Sequence, residues 1–136
     1  LSDEYTLSKK MEVAMQYLSY PEKDGRQRFL DVLDLLEMEQ RHDLFPYQLS
    51  GGQQQKVAVG RAIIAKPSII LADEPTGKLD STQGNEIMEM LSRLNDEGTT
   101  IVMVTHSSHD ASYSQRIIRI MDGQVVSEKK VLHAQF

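Results

Sequence analysis

Two short, uninterrupted apolar runs constrain the fold of this chain most strongly. Ser68 to Ala72 and Thr99 to Thr105 contain almost only apolar and β-branched residues. A continuous run of this kind is typical of a strand buried on both faces of a parallel sheet. Each run is followed by ionisable residues, Asp73-Glu74 after the first and His106 after the second. The sequence therefore predicts an α/β core with polar groups at the carboxyl ends of its strands, where open α/β sheets bind ligands.

The residues before the first apolar run carry a helical pattern. Apolar residues at helical spacing predict helices over residues 7–18, 29–36 and 51–64, and residues 22–25 have the composition of a charged turn. This part of the chain therefore differs in character from the strand-rich part that follows it.

The rest of the chain alternates strands and helices. Ser81 can cap a helix that Gly98 ends, and Asp122-Gly123 predicts a tight hairpin near the carboxyl terminus. The predicted organisation is a helical subdomain at residues 1–48, half of an α/β core at residues 49–128 and a loose tail at residues 129–136.

Composition excludes several classes of function. The formal net charge is −5, which argues against nucleic acid as a partner. The chain has no cysteine and so no disulfide or thiolate metal site. No apolar run approaches the roughly 20 residues that cross a bilayer, so any membrane-spanning part is expected in a separate segment or subunit. The first residue is Leu1 rather than methionine, and we expect a piece of a longer protein.

A glycine pair precedes the third predicted helix. Glycines let backbone N–H groups approach a ligand closely, and the amino terminus of the following helix attracts anions such as phosphate. Taken alone, the same residues are typical of a loop before a capped helix. With the apolar strand downstream, we interpret them as a phosphate-binding stretch, which consists of Ser50, Gly51, Gly52 and Gln53.

The ionisable residues after the two strands are the candidate catalytic groups. Glu74 follows Asp73 directly, at a position where it could act as a general base on a water molecule. His106 is expected at the same edge of the sheet, where it could bind a phosphate and orient that water. The alternative is a solvated strand end and a surface histidine, which the sequence after Glu74 argues against.

These motifs resemble, in order and in wording, those of ATP-binding cassette (ABC) ATPases, which have a P-loop NTPase-like fold. Leu49 to Gln53 resembles the signature motif, Ile69 to Thr76 the Walker B strand, Leu79-Asp80-Ser81 the D-loop, and Val104-Thr105-His106 the switch histidine. The stretch Leu71 to Gly77 is similar to an export-associated branch that includes lipoprotein-release and macrolide-export ATPases.

The resemblance implies an ATP hydrolase with ATP and Mg²⁺ as ligands. It implies that Asp73 holds Mg²⁺, that Glu74 is the catalytic base and that His106 contacts the γ-phosphate. It further implies a head-to-tail homodimer in which the signature residues bind the partner's ATP and Asp80 lies in the interface. The implied membrane partner is a transmembrane permease, which places the ATPase at the cytoplasmic face of the inner or plasma membrane.

One motif of that family is absent from the sequence. No stretch matches G-x-x-x-x-G-K-[ST], the loop that holds the β- and γ-phosphates. Gly77-Lys78 comes nearest, but Leu79 follows it and Ala72 stands where the first glycine belongs. We therefore expect this chain alone to hydrolyse ATP weakly or not at all. Strands that lack their neighbours would also favour self-association.

Two other functions stay open at this point. The parent protein could be a non-transport ABC ATPase of DNA repair, chromosome maintenance or translation, although the segment before Leu49 has no sustained heptads. The chain could also be a truncated docking module without catalysis. Intact Asp73, Glu74 and His106 argue against degeneration, because a docking module has no need of all three.

Overall fold

The computed structural model describes residues 9, 22–38 and 49–131. Within residues 22–38 and 49–131, two helices come first, and strands and helices then alternate until a carboxyl-terminal hairpin. The α/β fold class predicted from the sequence is confirmed. In chain order, the elements are α1 (Glu22–Leu36), α2 (Gly51–Ile63), β1 (Ile69–Asp73), α3 (Ser81–Asp96), β2 (Thr100–Val104), the short α4 (Ser108–Ala111), β3 (Arg116–Met121) and β4 (Gln124–Lys130).

The two predicted apolar runs form a parallel pair of strands. β1 and β2 pair in register from Ile69 opposite Thr100 to Asp73 opposite Val104. Parallel strands end at the same edge, so the residues that follow β1 and those that follow β2 are neighbours. This pairing positions the candidate site.

The helices pack on one side of this sheet. Apolar residues of α1, α2 and α3 form the buried core, to which Ile70 of β1 also contributes. A smaller buried cluster of Ile87, Met88 and Leu91 in α3 contacts Ala72 of β1 and residues of β2. Burial of these apolar side chains is the main stabilising contribution to the described fold.

The prediction that both faces of the sheet are buried is wrong for the described part of the chain. Leu71 of β1 is 77% exposed. Ile69 of β1 and Val102 and Val104 of β2 are exposed as well. The sequence pattern indicates what the strands can bury, whereas exposure depends on which other elements are present to cover them. Among the described residues, α1, α2 and α3 cover the opposite face.

Two predicted boundaries also differ from the structure. Residues 22–25 belong to α1 rather than to a turn. A glycine costs a helix about 1 kcal/mol relative to alanine, and burial of the apolar residues later in α1 offsets this cost. β4 extends to Lys130, so the predicted tail starts too early. The predicted helix at residues 7–18 lies outside the described residues except for Lys9, which is helical.

The predicted hairpin is confirmed. Asp122 and Gly123 both have positive φ angles, of 51° and 76°, as a two-residue type I′ turn requires. The strands β3 and β4 pair antiparallel on either side of this turn. Arg116 and Glu128 form an ion pair across them at 2.6 Å.

Arg28 joins α1 to the end of α2. Its guanidinium donates hydrogen bonds to the carbonyl oxygens of Ile63 and Ile64, the second from Nε at 3.3 Å. The last carbonyls of a helix lack intrahelical partners, and a cation near them is favourable. This contact therefore fixes the carboxyl end of the helix that begins with the glycine pair.

Candidate active site

Glu74 and His106, both predicted from the sequence, come together at the carboxyl edge of the sheet. The backbone N–H of His106 donates a hydrogen bond of 2.9 Å to Oε1 of Glu74. The hydroxyl of Thr105 lies 3.4 Å from Oε2 of the same carboxylate. Glu74 also donates its own backbone N–H to the carbonyl of Val104 at 2.8 Å. The segments after β1 and β2 are thus joined through Glu74.

The two side chains are adjacent and open to solvent. Nε2 of His106 lies 3.7 Å from Oε1 of Glu74, with side-chain exposures of 98% for the histidine and 37% for the glutamate. This distance is beyond a direct hydrogen bond. A substrate phosphate or a water molecule can therefore reach both groups, which is what a base and a phosphate-orienting group require.

Asp73 is the last residue of β1, next to Glu74, and it is exposed. Within residues 22–38 and 49–131, no three histidine, aspartate or glutamate side chains are grouped closely enough to hold a metal ion on their own. Mg²⁺ commonly binds through one or two carboxylates together with substrate phosphates and water. The exposed Asp73 carboxylate at this edge fits that mode of binding.

Ser50 and Gln53 form a capping box at the start of α2. The Ser50 hydroxyl accepts a hydrogen bond from the Gln53 N–H at 3.2 Å, and the Gln53 side-chain oxygen accepts one from the Ser50 N–H at 3.0 Å. This reciprocal pair satisfies backbone donors at the amino terminus of the helix. The local role that the sequence left open is therefore present, and phosphate binding by the same residues stays a prediction.

The two glycines of this stretch differ in their surroundings. A Cβ atom at Gly52 would lie 2.8–3.0 Å from the Cβ, Cγ and Cδ atoms of Gln83 in α3, whereas one at Gly51 would lie 3.7 Å from Leu79. Gly52 is buried and Gly51 is exposed. Gly52 is therefore required for the close approach of α2 and α3, a reason that the sequence did not reveal.

We expect Gly52→Ala to lower the free energy of unfolding by about 1–3 kcal/mol, because the added methyl group displaces Gln83 in a packed interface. Urea denaturation measures this loss. Gly51→Ala is the matched control and should cost little, since its methyl group has space. Adding Gln83→Ala to Gly52→Ala should recover part of the loss. An unchanged stability in Gly52→Ala would contradict this account of the glycine.

Asp80, rather than Ser81 as predicted, caps the next helix. Its Oδ1 accepts a hydrogen bond of 2.8 Å from the Gln83 N–H at the start of α3. This is a local structural role, at a position where the resemblance implies an interface residue. The interface role predicted for Asp80 remains a prediction.

The predicted signature residues and the predicted catalytic pair are linked indirectly. Nε2 of Gln55 in α2 donates a hydrogen bond of 3.0 Å to the carbonyl of Pro75, the residue after Glu74. In the described part of the chain, no hydrogen bond or ion pair joins the side chains of Ser50 or Gln53 to Glu74 or His106. The two groups therefore lie on connected elements, with no hydrogen bond or ion pair between them among the described residues.

The loop after β1 and the loop after β2 are joined by a second contact, which was not predicted from the sequence. The Thr76 hydroxyl donates a hydrogen bond to Oδ2 of Asp110, a carboxylate in α4. Asp110 is 4% exposed. Its N–H is bound by the Ser107 side chain at 3.1 Å, which caps α4. Ser107 and Asp110, spaced as in a helix cap, were a weak sequence signal for α4. No feature of the sequence indicated that Asp110 would contact Thr76.

A family model described as ABC transporter matches residues 1–77, more than half of the chain. The chain belongs to the ABC transporter family. This result confirms the resemblance that the signature, Walker B, D-loop and switch-histidine motifs indicated.

Individual ABC proteins support the same conclusion. The chain is 38% identical over 135 residues to the macrolide export ATP-binding/permease protein MacB 2 of Yersinia pestis, covering 99% of this chain and 20% of MacB 2. It is 50% identical over 111 residues to the ABC transporter ATP-binding protein MJ0796 of Methanocaldococcus jannaschii, covering 80% of this chain and 47% of that protein. The similarity to the macrolide-export branch is thereby confirmed.

Solved ABC cassettes share the fold. The dimeric structure of MJ0796 superposes with a TM-score of 0.82 and 40% identity, covering 98% of this chain and 60% of that one. CbiO1 of Clostridium perfringens, part of the transporter complex cbiONQ, gives a TM-score of 0.85 at 26% identity and covers 92% and 51% of the two chains. This ABC chain thus spans about half of the cassettes it matches.

Within the part that the structure describes, no helix combines the length and the apolar character needed to traverse a bilayer.

Proposed function

We propose that this chain is the carboxyl-terminal part of an ABC ATPase domain that hydrolyses ATP to drive export or membrane remodelling. The observation that carries the proposal is the pairing of Glu74 with His106 at the sheet edge, directly after Asp73. A carboxylate, an imidazole and a second carboxylate at one accessible edge suit the attack of water on a phosphate.

The proposed reaction consumes one ATP and one water and releases ADP and inorganic phosphate. Glu74 accepts a proton from the attacking water, and the His106 imidazole hydrogen-bonds the γ-phosphate and orients the water. Asp73 would hold Mg²⁺, which when bound offsets the negative charge of the phosphates. The hydrogen bonds from His106 and Thr105 keep the Glu74 carboxylate at the strand end.

We further propose a head-to-tail homodimer. The start of α2 would present Ser50, Gly51, Gly52 and Gln53 to the ATP that the partner holds, and Asp80 would lie at the interface. The exposure of Ser50 supports this arrangement. MJ0796 has been solved both as a dimer and as a dimer bound to ADP and phosphate.

The phosphate loop must then come from a segment outside this sequence. We infer that the complete domain, which includes this segment, covers the exposed apolar face of β1 and β2. Parallel sheets are normally covered on both faces, and Leu71 and Val104 are apolar residues that such a cover would bury. MacB 2 combines ATP-binding and permease parts by name, which supports a transmembrane permease as the partner and a position at the cytoplasmic face of the membrane.

The proposal is tested by ATP turnover of the complete domain with and without Mg²⁺. Removal of Mg²⁺ by EDTA and the substitution Asp73→Asn should each lower turnover by about 100-fold or more, because charge stabilisation by the ion is lost. Asp96→Asn, at the exposed end of α3, is the control and should leave turnover unchanged. Turnover that is insensitive to both EDTA and Asp73→Asn would refute the proposed site.

A further inference from the structure

Among the residues that the structure describes, Asp110 is the only charged residue that is buried. It lies in α4, four residues after His106, and Oδ2 of its carboxylate accepts a hydrogen bond from the Thr76 hydroxyl. A carboxylate is taken out of water at a cost unless hydrogen bonds satisfy it. The bond to Thr76 is therefore a specific contact between two loops rather than an incidental one.

Thr76 is held from a second side as well. Its Cβ lies 3.4 Å from the position that a Cβ would take at Gly84 in α3, so the threonine packs closely against that helix. The turn around it is closed by hydrogen bonds from the Gly77 N–H to the Glu74 carbonyl and from the Leu79 N–H to the Thr76 carbonyl, each at 3.1 Å. These contacts thus fix the position of Thr76, which lies two residues after the proposed base, Glu74.

Glu74 has a backbone conformation that needs such support. Its φ angle is 45°, in the left-handed region that non-glycine residues rarely adopt. Residues held in this region persist when the surrounding structure fixes them, and they are common at active sites. On one side, the N–H of Glu74 is bound to the carbonyl of Val104 at 2.8 Å. On the other side, the turn leads directly to Thr76 and its bond with Asp110.

We propose that Asp110 is a positioning residue that acts through Thr76 to hold Glu74 in its left-handed conformation beside His106. The inference rests on the proposed ATPase function. The loop after β1 and the loop after β2 are tied together at two points, through Glu74 to His106 and through Thr76 to Asp110. Loss of the Thr76–Asp110 hydrogen bond allows the turn to change conformation and the Glu74 carboxylate to move away from His106. The groups assigned to ATP binding stay unchanged.

The test is the steady-state ATPase activity of the complete domain with Thr76→Val, which keeps the shape of the side chain and removes the hydroxyl donor. We expect kcat to fall about 10- to 100-fold, as misplacement of a catalytic group does, with KM for ATP changed by less than about threefold. Thr76→Ser restores a hydroxyl and should keep kcat within about threefold of the unaltered domain. Rescue by serine separates the hydrogen bond from general packing.

A double variant distinguishes loss of the hydrogen bond from a folding defect. Thr76→Val with Asp110→Leu replaces both partners by apolar groups, so no carboxylate is left buried without a donor. This variant should show a cooperative unfolding transition and a kcat about 10-fold or more below that of the unaltered domain. A folded Thr76→Val or double variant with unchanged kcat would overturn the inference, as would a Thr76→Ser variant as slow as Thr76→Val. An inactive unaltered domain would instead refute the proposed function.

Discussion

Glu74→Gln should lower ATP turnover of the complete domain by about 100- to 10,000-fold, the range that a general base contributes. The amide cannot take a proton from the attacking water. ATP affinity should change little, since the substitution preserves size and leaves the proposed phosphate contacts in place. Phosphate release under saturating ATP measures turnover, and equilibrium binding of ATP measures affinity.

The structure explains why this variant separates chemistry from folding. The glutamine Oε1 can still accept the hydrogen bond from the His106 N–H, and its Nε2, in place of Oε2, can donate one to the Thr105 hydroxyl oxygen. The local geometry should therefore survive while the basic group is lost. Glu89→Gln, on the exposed face of α3, is the matched control and should keep full turnover. Unchanged turnover in Glu74→Gln would show that another group is the base.

Ser50→Arg should abolish ATP-dependent dimerisation of the complete domain. Ser50 is exposed at the start of α2, where the proposed dimer brings the partner's ATP against the helix. A bulky side chain at that place would hold the two surfaces apart. Sedimentation with and without ATP measures dimer formation, and including Glu74→Gln keeps hydrolysis from dissolving the complex during the run.

Two substitutions at the same position separate obstruction from the loss of the helix cap. Ser50→Thr keeps the capping hydroxyl and should dimerise. Ser50→Ala removes the cap, at a cost of about 0.5–2 kcal/mol in stability, but adds no bulk. Its dimerisation should therefore be impaired less than that of Ser50→Arg. Normal ATP-dependent dimers of Ser50→Arg would show that the start of α2 is not at the interface.

Local patterns in the sequence were sufficient to predict most secondary structure. The apolar run that contains β1 lacks the alternation of a half-exposed strand, and Asp122-Gly123 suits the positive φ angles of the hairpin turn. Placing Glu74 near His106 needed only the parallel pairing of the two strands, because parallel strands end at one edge. These features depend on neighbours in sequence or on one simple rule of sheet geometry.

Features that depend on tertiary packing were not predicted. The partly buried Thr76–Asp110 contact joins residues 34 positions apart, and neither residue has a distinctive spacing. The need for glycine at position 52 arises from Gln83 on another helix. The open face around Leu71 likewise depends on which elements cover the sheet, a property that the apolar run itself does not contain.

Calorimetric titration of Mg-ATP into the 136-residue chain, beside the complete domain, tests the central claim most directly. If this chain is the half that carries the base and the signature residues but lacks the phosphate loop, the chain alone should give no measurable heat of binding, whereas the complete domain should bind ATP. Binding to the chain alone in the micromolar range, lost on Asp73→Ala, would show that these residues build a complete phosphate site and would contradict the claim.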